Sequence, residues 1–158
     1  MCNVVHFSTT SEEDLTLLPH DHFIVQHPDE DDAPHLALLQ HPNKWYLAGR
    51  FGGCSCHFRH LGVFELDPET GRAMGTDDAE FLTPEQDPSD RSDEQEREDT
   101  KVLYDLIARL VAEGHQIDLL DSWNGEDLPH IKHLEVSFSQ VPRDAFRLFE
   151  GYRFDFTP

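Results

Sequence analysis

The sequence predicts an α+β domain: a mainly antiparallel sheet packed by one long amphipathic helix and two short helices. Three observations carry this. From about 93 to 113, Val102, Leu103, Leu106, Ile107, Leu110 and Val111 recur at helical spacing, with Lys101, Asp105 and Arg109 on the wet side. Leu134, Val136 and Phe138 alternate with Glu135, Ser137 and Ser139, the period of a strand with one buried face. Tyr152, Phe154 and Phe156 repeat that alternation against Arg153 and Asp155, as in a half-buried strand near a sheet edge. Alternating strands mixed with helices define the class.

The other elements follow in chain order. Val4–Thr9 is expected as the first strand, with Val5 and Phe7 on one face. Ser11 before Glu12, Glu13 and Asp14 has the form of a helix N-cap, and Pro19 keeps that helix short. Phe23–Gln26 and Trp45–Arg50 read as strands, the latter leading into Gly52-Gly53-Cys54; Gly62–Leu66 reads as a fourth, ending in the turn Asp67–Gly71. Gly114 sits where a left-handed cap would close the 93–113 helix, and Ile117–Leu120 returns as a strand. Pro142 opens a short buried helix carrying Ala145, Phe146, Leu148 and Phe149.

A chain of 158 residues suits a single domain, 1–158, able to bury a core without disulfides. Its 12 basic and 32 acidic side chains give a formal charge of −20, which repels phosphate backbones and argues against nucleic-acid and anionic-membrane partners. Residues 65–100 hold 14 acids against 3 bases, and within them about 77–92 read as an acidic, mobile insertion, rich in turn formers and poor in aliphatics. Asp29–Asp32, between Pro28 and Pro34, reads as a second solvated loop. With no 18-residue apolar window and no basic leader before an apolar stretch, the expected location is the cytoplasm, where thiols stay reduced.

The cysteines form the candidate site. Cys54 and Cys56 share the run Gly-Gly-Cys-Ser-Cys-His-Phe-Arg-His (52–60), and Cys2 lies at the mouth of the first strand. In an extended chain, residues i and i+2 face the same way. Pairing the first strand with Trp45–Arg50 would bring Cys2 to them. Zinc takes four tetrahedral ligands, usually thiolates and imidazoles. The expected ligand set is Cys2, Cys54, Cys56 and His60, with His57 and His6 as other fourth donors. Without a fourth protein ligand, water would fill the position and a hydrolytic role would open. Three readings stand beside this one: small buried side chains, a thiol redox sensor through Cys54/Cys56, and a Cys2 nucleophile resembling the amidotransferase class that begins Met-Cys. Asn3-Val4-Val5 lacks the Gly-Ile that commonly follows in that class.

The remaining polar residues point less clearly. His20-Asp21-His22 has the spacing of half a metal site but reads better as a loop, and His130 and His133 flank Ile131-Lys132 without a partner. Asp121 and Trp123 lie beyond a strand, where a cleft or a packed surface turn would place them. The acidity itself allows a different function, a partner-binding protein of the immunity or antitoxin kind that caps a basic protein.

Met1-Cys2, Gly53-Cys54-Ser55-Cys56 with Phe58, Glu113–Asp118, and Val141-Pro142 with Ala145-Phe146 together resemble a family of short bacterial proteins of unknown function. These proteins carry an N-terminal Met-Cys and an internal Cys-x-Cys-x-Phe. The resemblance spans most of the chain outside the acidic segment. It implies a shared fold and cysteine arrangement, and no reaction. Glycine often follows the second cysteine in that family where this chain has His57, which makes His60 or a non-protein ligand the more attractive fourth donor.

Overall fold

The computed structural model of the chain describes residues 2–61, 65–66, 73–74, 80–88, 90–123 and 131–158. In chain order, the strands β1 (Asn3–Thr9) and β2 (Phe23–Gln26) precede a short helix α1 (Ala33–Leu36) and strand β3 (Asn43–Gly49). Three two-residue strands follow, β4 (His60–Leu61), β5 (Glu65–Leu66) and β6 (Ala73–Met74), before the long helix α2 (Glu94–Ala112). The chain finishes with β7 (Ile117–Trp123), β8 (Lys132–Ser137), β9 (Leu148–Phe149) and β10 (Tyr152–Thr157). The main sheet has the order β2-β3-β1-β7-β10-β8 and is antiparallel except for the β10–β8 pair at one edge. The α+β class and the mainly antiparallel sheet are those of the sequence.

Helix α2 forms where the sequence places it because both ends are closed locally. Asp93 accepts from the Glu96 amide at 2.8 Å while the Glu96 carboxylate accepts from the Asp93 amide at 2.9 Å, a reciprocal capping box. At the far end Gly114 adopts φ +90°, which lets His115 N–H donate to the Leu110 carbonyl at 3.0 Å. The buried stripe is Leu103, Leu106, Ile107, Leu110 and Val111, with Val102 only partly covered. It packs with Val5, Phe7, Leu119, Phe154 and Phe156 in one core cluster. Leu106→Ala is expected to cost about 2–3 kcal/mol of stability through lost burial and a residual cavity. A denaturation midpoint matching the unmodified chain would show that the stripe is misassigned.

Neither of the two short helices expected from sequence is an α-helix, and the short α-helix present lies elsewhere. After Ser11 only a 3-10 turn forms (Leu15–Leu17): Asp14 caps its start by accepting from the Thr16 amide and hydroxyl, and Pro19 follows two residues past its end. After Pro142 another 3-10 turn (Arg143–Ala145) gives way to extended chain: Leu148 N–H donates to the Arg59 carbonyl at 2.9 Å as β9 pairs with β4. Tertiary pairing there overrides the helical pattern. Helix α1 grows from Glu30–Asp32, inside the stretch read as a solvated loop, where Asp29 N–H donates to the Asp32 carboxylate at 2.7 Å.

Part of the acidic stretch 77–92 lies outside the described residues (77–79 and 89); the rest packs. Phe81 stacks on Phe146 with ring centroids 5.9 Å apart, Arg59 pairs with Asp90, and Arg147 pairs with Asp87, each at 2.5 Å. Both arginines are buried. No helix among the described residues is long and apolar enough to cross a membrane.

Candidate metal centre

The cysteine site lies where β3 runs out and the chain doubles back on the start of β1. Gly52 and Gly53 have φ near +83° and +86°, a conformation open to glycine, and Gly52 N–H donates to the Gly49 carbonyl at 2.7 Å. Tyr46 Oη donates to the Gly53 carbonyl at 2.8 Å and steadies the turn. The returning chain sets Ser55 inward: its amide donates to the Asn3 carbonyl at 2.9 Å, and its hydroxyl accepts from Val5 N–H at 2.9 Å and donates to the Leu47 carbonyl at 2.5 Å. Ser55 is buried at this bend, while Cys54 and Cys56 on either side of it reach solvent. Strand β1 pairs with β3 as anticipated, Val5 opposite Leu47, and so delivers Cys2 to the same point.

The three thiol sulfurs lie within 4.8 Å of one another. Cys2 and Cys56 are exposed and Cys54 is partly so, which removes the reading of small buried side chains. Among the described residues no fourth histidine, cysteine or carboxylate joins this group. Burial opposes ionisation of Cys54, but hydrogen bonds from the Cys56 thiol and backbone and from the Cys2 thiol outweigh it, and its pKa falls below the ordinary thiol value. Cys56 moves the other way, pushed up to about 12 by burial and then by its neighbour Cys54. Of the C-x-C pair, Cys54 is therefore the readier to ionise. The Asn3 amide, 3.2 Å from the Cys56 sulfur, is a further donor to the site.

The other expected donors lie elsewhere. His60 is nearly buried, and both its ring nitrogens are engaged: Nδ1 sits 2.8 Å from the Asp121 carboxylate and Nε2 sits 3.0 Å from the Ser55 carbonyl. His57 is packed against Phe58, and burial pushes its pKa down to about 4. His6 points from β1 into a separate buried group, stacked on His35 with Nε2 3.0 Å from Asp32. His22 pairs with Asp99, and His133 with Asp155. His130 and the turn 124–127 lie outside the described residues.

Behind the cysteines runs a buried polar chain that the sequence does not reveal. Asn3 Nδ2 donates to Glu150 at 3.0 Å, and Trp123 Nε1 donates to the other Glu150 oxygen at 2.7 Å. Asp121, read from sequence as a cleft or surface-turn residue, is fully buried on β7. The register alone holds the signal: Asn3 faces Trp123, and Val5 faces Asp121.

This geometry defines a protein with a surface cluster of three thiols that can hold a soft metal ion. Comparison with protein-family models, curated proteins and solved structures gives no match to this chain.

Proposed function

We propose that Cys2, Cys54 and Cys56 bind zinc as three thiolates and leave a fourth position for water or an incoming ligand. The observation that carries this is the convergence of three sulfurs from two chain segments to within 4.8 Å of one another. Tetrahedral zinc with bonds of about 2.3 Å requires sulfurs about 3.8 Å apart, inside that 4.8 Å limit. The donor set is soft and free of disulfides. Closed structural zinc sites use four protein ligands, whereas catalytic sites use three and keep one position for water, whose pKa falls towards neutrality. Three solvent-accessible thiols with no fourth protein donor in the group among the described residues favour the second pattern, with a hydrolytic chemistry. Joining Cys2 to the 52–56 loop also fixes the start of β1.

Elemental analysis of protein purified without chelator decides this. We expect about one zinc per chain, falling several-fold in Cys54→Ser. Less than about a tenth of a metal ion per chain in the unmodified protein would end the proposal. The lowered pKa of Cys54 favours a second reading, a thiol redox sensor. Its mark is reversible loss of two free thiols on mild peroxide treatment, without metal.

A further inference from the structure

We propose that His60 is a positioning residue of the cysteine site, holding from inside the protein the peptide that joins Ser55 to Cys56. The Ser55 amide and hydroxyl are satisfied by β1 and β3, through Asn3, Val5 and Leu47. Its carbonyl is the remaining polar group of the residue, and His60 Nε2 meets it at 3.0 Å. That carbonyl belongs to the same peptide plane as the Cys56 amide, so its orientation sets the direction in which Cys56 leaves the chain. His60 is in turn fixed by Asp121, 2.8 Å from Nδ1. Nε2 thus faces a carbonyl, which only a ring N–H can satisfy, while Nδ1 faces the Asp121 carboxylate with the Asn3 side-chain amide also 3.0 Å away. Neither nitrogen lies with the three sulfurs.

The same arrangement recurs one step further in. Asp121 is fully buried on β7, and Glu150 beside it accepts from Asn3 and Trp123. Asn3 supplies the amide that reaches the Cys56 sulfur and the carbonyl that receives Ser55 N–H. One network therefore grips both segments that carry the thiols. Outer partners of this kind typically contribute 10–100-fold in metal affinity. The inference draws on the zinc reading for one of its readouts and is independent of it for the others.

Two substitutions separate the two ring nitrogens. His60→Gln places an amide N–H near the Nε2 position and can still serve Ser55; His60→Asn places one near Nδ1 and serves only Asp121. Both lose half of the ring's contacts, so a purely structural role would weaken the two alike. With folding of each variant checked by circular dichroism, zinc affinity is measured by competition with a chromophoric chelator. The expected result is affinity within a few-fold of the unmodified chain for His60→Gln and about 10–100-fold weaker for His60→Asn. Equal affinities in the two variants, whether unchanged or equally reduced, overturn the proposal.

If the unmodified chain binds no zinc, the zinc reading fails alone, and iodoacetamide alkylation mapped to each cysteine takes over. His60→Asn should then shift the relative rates of Cys54 and Cys56 several-fold while His60→Gln does not, and unchanged ratios in both overturn the role. If neither variant folds, nitrogen-15 imidazole resonances of the unmodified chain decide. His60 Nε2 should carry a slowly exchanging proton with or without zinc. Absence of that proton, or its loss on zinc binding, overturns the proposal.

Discussion

Arg147→Ala is expected to lower folding stability by about 3–5 kcal/mol, the range for stranding one partner of a buried ion pair. Arg147 and Asp87 are both buried and 2.5 Å apart, and the guanidinium also donates to the Glu80 carbonyl at 3.0 Å. Removing the cation takes an ion-pair partner from the buried Asp87 carboxylate and a donor from that carbonyl. A double variant, Arg147→Met with Asp87→Leu, should recover part of the loss, because it removes the buried carboxylate together with the cation that balances it. Equilibrium denaturation of the three proteins measures this. A loss below about half a kcal/mol in Arg147→Ala would mean that the 80–88 segment swings into water. The same pair implies that excising 77–92 strands Arg59 and Arg147, so that deletion should be costly.

Stability of the metal-free protein is expected to fall between about pH 6.5 and pH 9. Burial alone would lower the His60 pKa, but the charge and hydrogen bond of Asp121, the Ser55 carbonyl and Glu150 outweigh it and raise the value to about 9. A folded-state pKa above the unfolded value means that the folded chain binds the proton more tightly. Its contribution is fully present below the unfolded pKa near 6.5 and is lost as pH rises through the folded pKa near 9. A gap of this size corresponds to on the order of 3 kcal/mol. Urea denaturation across this window, in reducing buffer with chelator, should show the decline, and His60→Gln should flatten it. Parallel curves for the two proteins would place the titration on other groups.

The sheet and the long helix were legible because their signals are local. Alternation in β8 and β10, and the Asp93–Glu96 box with Gly114 around α2, act within a few residues and are met by the fold that forms. Helix α1 carried a local signal too, the Asp29/Asp32 box, but its acidity reads as solvation. The turn after Pro142 failed for the opposite reason, since pairing with β4 came from a residue nearly ninety positions away. The thiol cluster was legible as far as its sulfurs. A C-x-C spacing sets two of them on one side, and hairpin-like pairing of β1 with β3 supplies the third. The supporting chain of Asn3, Asp121 and Glu150 was not, because its members lie more than a hundred residues apart or face each other only across strands. For the same reason composition could not separate Asp87 and Asp90 from solvated acids, as their arginines belong to other elements.

Strand β1 precedes the sheet's other strands in the sequence and lies between β3 and β7. Its second flank is residues 117–123, so its place in the sheet is completed only after most of the chain has been synthesised. Long-range closure of this kind slows folding. Cys2 can meet Cys54 and Cys56 once β1 pairs with β3, but the strand that carries it is gripped on both sides only when β7 docks. A nascent or misfolded chain would present its cysteines singly or as the C-x-C pair, and full three-sulfur capture would report that β1 has joined β3.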